Sequence, residues 1–280
     1  IADQVMEFVK KNKNKPFFMY YATVMPHLPL QALEEDIQQY KGKWPETPYK
    51  GGSYLHHETP RACYAAMISF MDRQIGRLMT LLKELALDKN TVVIFTSDNG
   101  TTYLKEQVDY EFFESVSPLR GLKGDLYEGG IRVPMVTYWP GHIKPGTVSD
   151  LPAAHYDIPA TLANIAGTTF DKNTDGISIL PTLLGKNSAQ KKHDFLFWDF
   201  AGYNGQIAAR MGDWKGIKRN VSKNANAPLE LYNLKNDISE KNNVADKHPE
   251  IVKKIEAIMI EERTVPEIQN FKFGKYGNNA

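Results

Sequence analysis

The stretch Thr91–Gly100, with the sequence TVVIFTSDNG, restricts what this chain can fold into more than any other feature. Its first half, Thr91–Phe95, is a run of β-branched and aromatic residues without polar alternation. Such a run is typical of a strand that is covered on both faces, as in the sheet of an α/β protein. We therefore predict a buried strand here, in a sheet that is flanked by helices.

The predicted strand ends at Ser97-Asp98-Asn99-Gly100, so an acid and an amide follow it directly. Ligands of open α/β sheets bind at the carboxyl ends of the strands. A turn at this point could direct oxygens of both Asp98 and Asn99 to one ion, and such hard donors suit Ca²⁺ or Mg²⁺ better than zinc. The alternative is an ordinary β-turn, because Asp, Asn and Gly are also favourable turn residues.

Composition excludes several classes of function. The chain has 280 residues and a formal net charge of +1, which gives no long-range field for nucleic acid or an anionic membrane. The single cysteine, Cys63, rules out an internal disulfide and a cysteine-based metal site. No apolar run approaches the length of a membrane span.

Because the chain opens with Ile and not Met, we expect that the N-terminal part of a longer protein is missing.

The N-terminal region predicts a helix over residues 1–11 that leads into a buried strand over 16–22, as in half of a βαβ unit. His27 follows this strand and lies between Pro26 and Pro29, which restrict the backbone around it. A histidine held in a stiff loop can donate a proton to an anion or to a leaving group. The alternative is a loop histidine without a chemical role.

Two irregular segments are predicted to form the rim of a pocket. Residues 34–60 are polar and rich in Lys, Pro, Gly and Tyr, and residues 101–118 are irregular and aromatic. Between them, Thr59 and Pro60 predict the start of a long helix with apolar residues at helical spacing. Cys63, near the start of this helix, is predicted to be a small buried apolar residue.

The glycine-rich segment 118–134 mixes glycines with charged residues and matches neither a Walker loop nor a dinucleotide fingerprint. Its glycines indicate backbone that packs closely against another group. Lys123 could act there as a compact positive charge for an oxyanion, and the alternative is a solvated loop lysine.

A change of composition near residue 185 predicts two domains. Residues 1–185 are expected to form an α/β domain with a mostly parallel or mixed central sheet flanked by helices. Residues 186–280 are expected to form a small antiparallel sheet that carries one helix, which begins at His248-Pro249. The predicted strands of this sheet are 195–200, 206–211, 214–218 and 229–234.

Several motifs in order resemble the type I sulfatases, the formylglycine-dependent members of the alkaline phosphatase superfamily. The motifs are PHLP at 26–29, SDNG at 97–100, PLRGLKGDLYEGGIRVP at 118–134, WPGHIKPG at 139–146, DGISILPTLLG at 175–185, and RMGDWKGIKR with LYNLKNDISEKNN at 210–219 and 231–243. The resemblance covers nearly the whole chain. It implies hydrolysis of a sulfate ester, and the expected substrate is a sulfated carbohydrate or another sulfated small molecule.

The resemblance also implies roles for single residues. Asp98 and Asn99 would bind a divalent ion, usually Ca²⁺ rather than Mg²⁺. Lys123 would bind a sulfate oxygen, and His27 would contact the sulfate and the leaving-group oxygen. These roles agree with what a sulfate ester needs, namely cations on its nonbridging oxygens and a donor for the departing alkoxide.

The chain departs from the family at the nucleophile, a Cys or Ser in a Cys/Ser-x-Pro-x-Arg motif that is converted to formylglycine. Cys63 is followed by Tyr-Ala-Ala-Met, and Ser117-Pro118-Leu119-Arg120 has the wrong spacing. We therefore expect the nucleophile and the remaining metal ligands upstream of Ile1. The chain alone should then be inactive and hold Ca²⁺ weakly or not at all. The resemblance implies an exported protein, periplasmic, secreted or lysosomal, and leaves its oligomeric state open.

Two other functions are compatible with the sequence. One is a phosphatase or phosphodiesterase of the same superfamily with a Ser or Thr nucleophile, and the other is a non-catalytic module that binds a glycan. Tyr103, Trp198 and Asp199 are candidates for a substrate rim, because aromatic rings and an acid suit sugar rings and hydroxyls.

Overall fold

The structure, a computed structural model, describes residues 1–171 and 173–272. The last residues of the predicted second domain, 273–280, lie outside this range. The described chain forms two compact units. The first comprises Ile1–Ile94, Thr102–Ser115 and Thr137–His142, and the second comprises Phe95–Thr101, Val116–Val136 and Ile143–Ala280.

The first unit is built on helices: α1 (Ala2–Asn12), α2 (Glu34–Gln38), α3 (Pro60–Glu84) and α4 (Lys105–Val108). Helix α3 begins at Pro60 as predicted, although the Thr59 side chain makes no capping hydrogen bond. Cys63 is fully buried in its core, and burial raises the pKa of the thiol to about 12. Segment 34–60 is not entirely a loop as predicted, because it contains helix α2. Ile37 of this helix is buried, and Asp36 pairs with Arg73.

The predicted buried strand over 16–22 is wrong. The segment has no regular secondary structure, and its side chains alternate between a covered and an open face. Phe17, Met19 and Tyr21 pack against the core between α1 and α3, whereas Phe18 and Tyr20 are 70% and 82% exposed. A strand needs a hydrogen-bonded neighbour, and no strand within 1–171 or 173–272 pairs with this segment.

Strands β1 (Val93–Thr96) and β2 (Met135–Tyr138) pair in a two-stranded sheet. The strand predicted in Thr91–Phe95 therefore exists, but its predicted burial on both faces is wrong. Phe95 is 36% exposed and Val136 61% exposed. An apolar run is buried only where other elements cover it, and within the described ranges β1 pairs with β2 alone.

The second unit contains the helices α5 (Glu128–Ile131), α6 (Asp157–Ile165), α7 (Leu180–Leu183) and α8 (Pro249–Glu261). Its sheet has the order β3-β4-β5-β6, and every neighbouring pair is antiparallel. The strands are β3 (Leu196–Phe200), β4 (Gln206–Met211), β5 (Trp214–Arg219) and β6 (Glu230–Asn233). The prediction of a small antiparallel sheet with a helix beginning at Pro249 is confirmed.

Alternating side chains give this sheet two buried faces. Ile207, Ala209 and Leu231 pack against Ile255 and Met259 of α8. On the opposite face, Ala208, Ile217 and Tyr232 pack against Leu126 and Tyr127. The sheet therefore supports the glycine-rich segment that contains Lys123. No helix in the described part of the chain combines the length and apolarity needed to cross a membrane.

Candidate functional site

The turn after β1 carries the two predicted metal ligands. The Ser97 hydroxyl donates to the Asn99 carbonyl at 2.9 Å, and the Asn99 amide nitrogen donates to Asp98 Oδ1 at 3.0 Å. The Thr96 hydroxyl, one residue earlier, donates to the Pro134 carbonyl at 3.0 Å. These bonds fix the turn and hold the side chains of Asp98 and Asn99 next to each other.

Glycines hold this turn against the glycine-rich segment within the second unit. Gly100 N donates to the Gly130 carbonyl at 2.9 Å. A Cβ atom on Gly100 would lie 1.9 Å from the carbonyl oxygen of Gly129, so no other residue fits without a backbone shift. The next residue, Thr101, accepts a hydrogen bond from Lys123 N at 2.8 Å. The structure thus brings the Asp98–Asn99 turn and the Lys123 backbone together.

The Lys123 loop is itself fixed on both sides. Leu122 N donates to Asp125 Oδ2 at 3.1 Å, and the Gln206 amide of β4 donates to the Gly124 carbonyl at 2.8 Å. Gly124 has a φ of +93°, and a Cβ on it would lie 2.4 Å from the ring of Tyr203. Contacts of this kind set the direction of the backbone at Lys123, which is partly buried.

A buried charge cluster, formed by Glu128, Lys215 and Glu240, lies beside this segment. Lys215 Nζ is 2.8 Å from Glu128 Oε1 and 3.0 Å from Glu240 Oε1, and its side chain is fully buried. Glu240 Oε2 accepts a 2.6 Å hydrogen bond from Glu128 N, at the start of α5. The cluster therefore anchors the backbone that leads into Gly129 and Gly130.

The two acids of the cluster respond differently to burial. Burial alone would raise the pKa of Glu128, but Lys215, Arg210 and Arg132 lower it to a net value below the usual range. Burial raises the pKa of Glu240, and its attraction to Lys215 does not cancel this rise. Glu128 also repels the charged form of Glu240. Lys215 thus pairs with both acids. Because its pKa is lowered and that of Glu240 is raised, Glu128 is the more strongly ionised of the two.

His27 lies in the first unit, in the turn that Val24 and His27 close by a 2.8 Å backbone hydrogen bond. Its Nδ1 is 2.7 Å from the Leu28 carbonyl oxygen. Because a carbonyl only accepts, Nδ1 carries the hydrogen in this arrangement. Nε2 can then act as a donor only when the ring is protonated on both nitrogens.

The three predicted rim residues have different surroundings. Trp198 and Asp199 are neighbours on β3 and point to opposite faces of the sheet. Trp198 packs against the core below the glycine-rich segment, and Asp199 pairs with the buried Arg263 at 2.7 Å. Tyr103, in the first unit, is 54% exposed. Their role toward a substrate stays a prediction.

Both segments predicted as a rim contribute to one cavity of the first unit, with a volume of about 570 Å³. Residues 47–51 line one side, and 105–107 with Asp109 line another. Arg61 donates to Asp109 Oδ2 at 2.9 and 2.6 Å and lies over the ring of Phe112. The cavity therefore offers an ion pair and polar side chains to a small ligand.

The donor atoms at Asp98 and Asn99 suit a hard divalent cation, because a carboxylate and an amide oxygen are ligands that Ca²⁺ and Mg²⁺ prefer. Asp98 is exposed and Asn99 is partly buried. In residues 1–171 and 173–272, no group of three or more His, Cys, Asp or Glu side chains is arranged to hold a metal.

Comparison with known proteins decides the family. A family model described as Sulfatase matches residues 1–168, more than half of the chain. The chain belongs to the sulfatase family. A second model, described as N-sulphoglucosamine sulphohydrolase, C-terminal, matches residues 122–265 of this sulfatase-family chain.

Individual relatives agree with this assignment. A sulfatase of Formosa agariphila is 30% identical, over 89% of this chain and 46% of its own length. An N-acetylgalactosamine-6-O-sulfatase of Bacteroides thetaiotaomicron is also 30% identical, over 92% of this chain and 49% of its own length. The crystal structure of Ps i-CgsB in complex with k-i-k-neocarrahexaose matches with a TM-score of 0.73 and 31% identity, over 92% of this chain and 52% of that one.

These matches confirm the predicted α/β fold of the alkaline phosphatase superfamily. The sulfatase-family chain spans about half the length of the relatives that it matches. The sequence did not predict the charge cluster of Glu128, Lys215 and Glu240, because its members are far apart along the chain. One feature of the sequence could have indicated the cluster: Lys215 lies at an inward-facing position of β5, among apolar residues.

Proposed function

We propose that this chain carries the part of a sulfate-ester hydrolase site that holds the sulfate group and a divalent cation. The observation that carries the proposal is the pair of backbone hydrogen bonds, Gly100 to Gly130 and Lys123 to Thr101. They join the Asp98–Asn99 turn to the Lys123 loop in a chain of the sulfatase family. A cation and a lysine suit the negative charge on the oxygens of a tetrahedral sulfate ester.

In this proposal, Asp98 Oδ and Asn99 Oδ1 bind the cation, with Ca²⁺ favoured over Mg²⁺ by the resemblance to type I sulfatases. The bound ion would neutralise charge on the sulfate oxygens and on the leaving group. Lys123 donates from its ammonium group to a sulfate oxygen. The buried cluster of Glu128, Lys215 and Glu240 keeps the backbone in place, because it anchors the α5 end of the same loop.

We assign His27 the role of donor to the leaving-group oxygen on the resemblance alone. The hydrogen on Nδ1 is held by the Leu28 carbonyl, so a donation from Nε2 requires the doubly protonated ring.

We further propose that the nucleophile, a formylglycine made from Cys or Ser, lies outside residues 1–280. Two facts support this: no Cys/Ser-x-Pro-x-Arg sequence occurs in the chain, and relatives are about twice as long. Residues 1–185 would then belong to the catalytic domain and 186–280 to a C-terminal domain. An exported location follows from the resemblance alone.

The substrate class that we propose is a sulfated carbohydrate. The relatives include an N-acetylgalactosamine-6-O-sulfatase and a structure in complex with k-i-k-neocarrahexaose. Tyr103, Trp198 and Asp199 are the proposed rim residues. The first unit by itself contains a cavity of about 570 Å³ that is partly lined by polar side chains.

The test is sulfate release from a sulfated chromogenic ester by the protein that contains the nucleophile segment. Lys123→Ala and Asp98→Asn should each lower kcat/KM by about 10²-fold or more, as loss of a single charge-stabilising donor does in other enzymes. Lys144→Ala is the matched control, because Lys144 is exposed in the same unit. Undiminished hydrolysis by both variants would contradict the proposed roles.

The same assay separates the two other functions. A phosphatase or phosphodiesterase would release phosphate from the phosphate analogue faster than sulfate from the sulfate ester. A non-catalytic glycan-binding module would release neither, although Asp98, Asn99 and Lys123 are intact. Residues 1–280 alone should also release neither, and sulfate release by them would place the nucleophile inside this chain.

A further inference from the structure

A second cavity, of about 470 Å³, lies entirely within the second unit and shares no residue with the Asp98–Asn99 turn or the Lys123 loop. It is lined by residues before α6, around α7, and at the start of β3 and the end of β4. Its charged lining residues are Asp150, Lys192, His193, Arg210 and Asp213. The role proposed above for this chain uses none of them.

Arg210, at the end of β4, is the first unusual group in this cavity. It is partly buried, and its Nε donates to the Gly212 carbonyl at 2.9 Å. Elsewhere in the described chain, neither of its terminal nitrogens has a hydrogen-bond acceptor, and no carboxylate pairs with it. A partly buried guanidinium whose two terminal nitrogens lack acceptors is unusual, because Arg in such places commonly pairs with a carboxylate or phosphate group.

The surroundings of Arg210 are electrostatically mixed. Burial lowers the pKa of Arg210 most, and Arg132 lowers it further, whereas Glu128 and Asp213 raise it. Glu128 is already committed to Lys215 and Arg132. Asp150 and Asp213 are exposed, so water screens their charge. Arg210 is therefore a cation that is partly withdrawn from water and has no carboxylate paired with it in the described chain.

His193 is the second unusual group. Its side chain is only 11% exposed, and its Nε2 lies 2.8 Å from Oδ1 of the fully buried Asp157. Asp157 also accepts from Ala154 N and Ile177 N at 2.8 Å each, so the carboxylate is rigidly held. This arrangement fixes the ring and leaves Nδ1 without a hydrogen-bond partner in the part of the chain that the structure describes.

We propose that this cavity binds an oxyanion group through Arg210, His193 and Lys192. Arg210 would donate two parallel N–H bonds to two oxygens of one sulfate, carboxylate or phosphate group. His193 would donate from Nδ1 when protonated, and the exposed Lys192 would add a mobile charge. The anion is either a free inorganic ion or a substituent on a saccharide. The proposal does not depend on the function proposed above for the Lys123 loop.

The experiment is calorimetric titration of residues 1–280 with sodium sulfate at low ionic strength, with sodium chloride as the ionic-strength control. Arg210→Gln should weaken sulfate binding about 10-fold or more, and Lys192→Gln about 3-fold, as expected for loss of a bidentate and a single contact. Lys235→Gln removes the same charge from an exposed site outside the cavity. It should change the affinity less than about 2-fold.

Lys123→Ala separates this cavity from the Lys123 loop, since that loop is also proposed to bind sulfate. The proposal requires that Lys123→Ala retains the binding that Arg210→Gln loses. The reverse pattern, equal binding by all variants, or no binding beyond the chloride control would overturn it. If Arg210→Gln fails to fold, Lys192→Gln decides, because the Lys192 side chain is exposed.

A second titration, with galactose 6-sulfate, distinguishes the two sources of the anion. Binding about 10-fold tighter than that of inorganic sulfate would identify a saccharide substituent as the ligand, because the sugar ring adds contacts. Equal or weaker binding would identify the free ion. Either result supports an oxyanion site, provided that Arg210→Gln weakens the binding of both ligands about 10-fold or more.

Discussion

The sheet β3–β6 of the second unit and the segment 16–22 of the first unit are both rich in apolar residues, but only the sheet is covered on both faces. In the sheet, α8 covers one face and the glycine-rich segment covers the other. In segment 16–22, Phe17 and Met19 contact helices, while Phe18 and Tyr20 face outward. The apolar character of a run therefore does not determine its burial.

The two regions differ in whether nearby residues of the chain supply their hydrogen-bonded partners. Each strand of the sheet pairs with the strand that precedes or follows it in the chain, so the hydrogen-bonded partners are local. Segment 16–22 has no such neighbour within a short turn. The sheet should therefore resist change in its own core, and segment 16–22 should tolerate substitution on its outer face.

The largest effect is expected at the centre of the sheet. Lys215→Met leaves Glu128 and Glu240 buried without their shared cation, and breaking a buried pair in this way costs about 3–5 kcal/mol. The free energy of unfolding from urea denaturation measures this loss. Lys235→Met, on an exposed lysine, is the control and should stay within about 0.5 kcal/mol of the unchanged protein. Equal stability of the two variants would show that the cluster does not hold the sheet.

A pair of apolar truncations tests the comparison itself. Ile255→Ala removes a fully buried side chain between α8 and the sheet and should cost about 2–5 kcal/mol. Phe18→Ala removes a side chain that is 70% exposed and should change the stability by less than about 1 kcal/mol. Urea denaturation of both variants provides the numbers. A larger loss for Phe18→Ala would mean that its outer face is covered in solution.

The pH dependence of the charge cluster gives a smaller effect. The folded state raises the pKa of Glu240, so it retains a proton that the unfolded chain releases. The contribution of Glu240 to stability should therefore fall as pH rises above about 4.3, the ordinary pKa of a glutamate. Glu240→Gln cannot titrate and should lack this decline, so the Tm difference between variant and unchanged protein should shift in favour of the variant between about pH 4.3 and 7.

Glu128 makes the opposite contribution. Its lowered pKa stabilises the fold above the ordinary glutamate value, and this stability is lost as pH falls below about 4.3. The two acids therefore act in different pH ranges. A Tm difference for Glu240→Gln that stays constant from pH 4.3 to 7 would contradict the raised pKa of Glu240.

The smallest effect is a gain in the first unit. Gln107 is 1% exposed, and neither of its amide atoms has a hydrogen-bond partner in the described ranges. Gln107→Leu has a similar size and removes the cost of burying an unpaired amide, so it should stabilise the protein by about 1 kcal/mol. Gln38→Leu, on an exposed glutamine of α2, should give no gain. A loss of stability in Gln107→Leu would mean that the amide has a partner in solution.

Local sequence signals predicted most of the second unit. Alternating apolar residues and the Gly212 turn predict the hairpin of β4 and β5, and His248-Pro249 predicts the start of α8. The same signals located the Asp98–Asn99 turn at the end of β1. They could not reveal that Gly100 packs on Gly129, because this contact joins residues that are distant in the chain and depends on the path of the whole backbone.

The sequence could not predict which side chains of an apolar run are buried in the folded protein. Phe95 and Phe18 lie in runs that predict buried strands, but more than a third of the surface of each residue is exposed. Periodicity reports which side chains share a face and not whether another element covers that face. For the same reason, the inward position of Lys215 was not recognised, since its two acid partners come from separate segments.

We propose that the contact between Gly100 and Gly129 holds the Asp98–Asn99 turn against Lys123 for sulfate-ester chemistry. The most direct test is kcat/KM for sulfate release by Gly100→Ala in the protein that contains the nucleophile segment. A Cβ there would meet the Gly129 oxygen at 1.9 Å, and a shift of the turn should lower kcat/KM by about 10²-fold. Gly76→Ala, where no atom lies within 4 Å of the added Cβ, should retain full activity. Full activity in Gly100→Ala would contradict the claim.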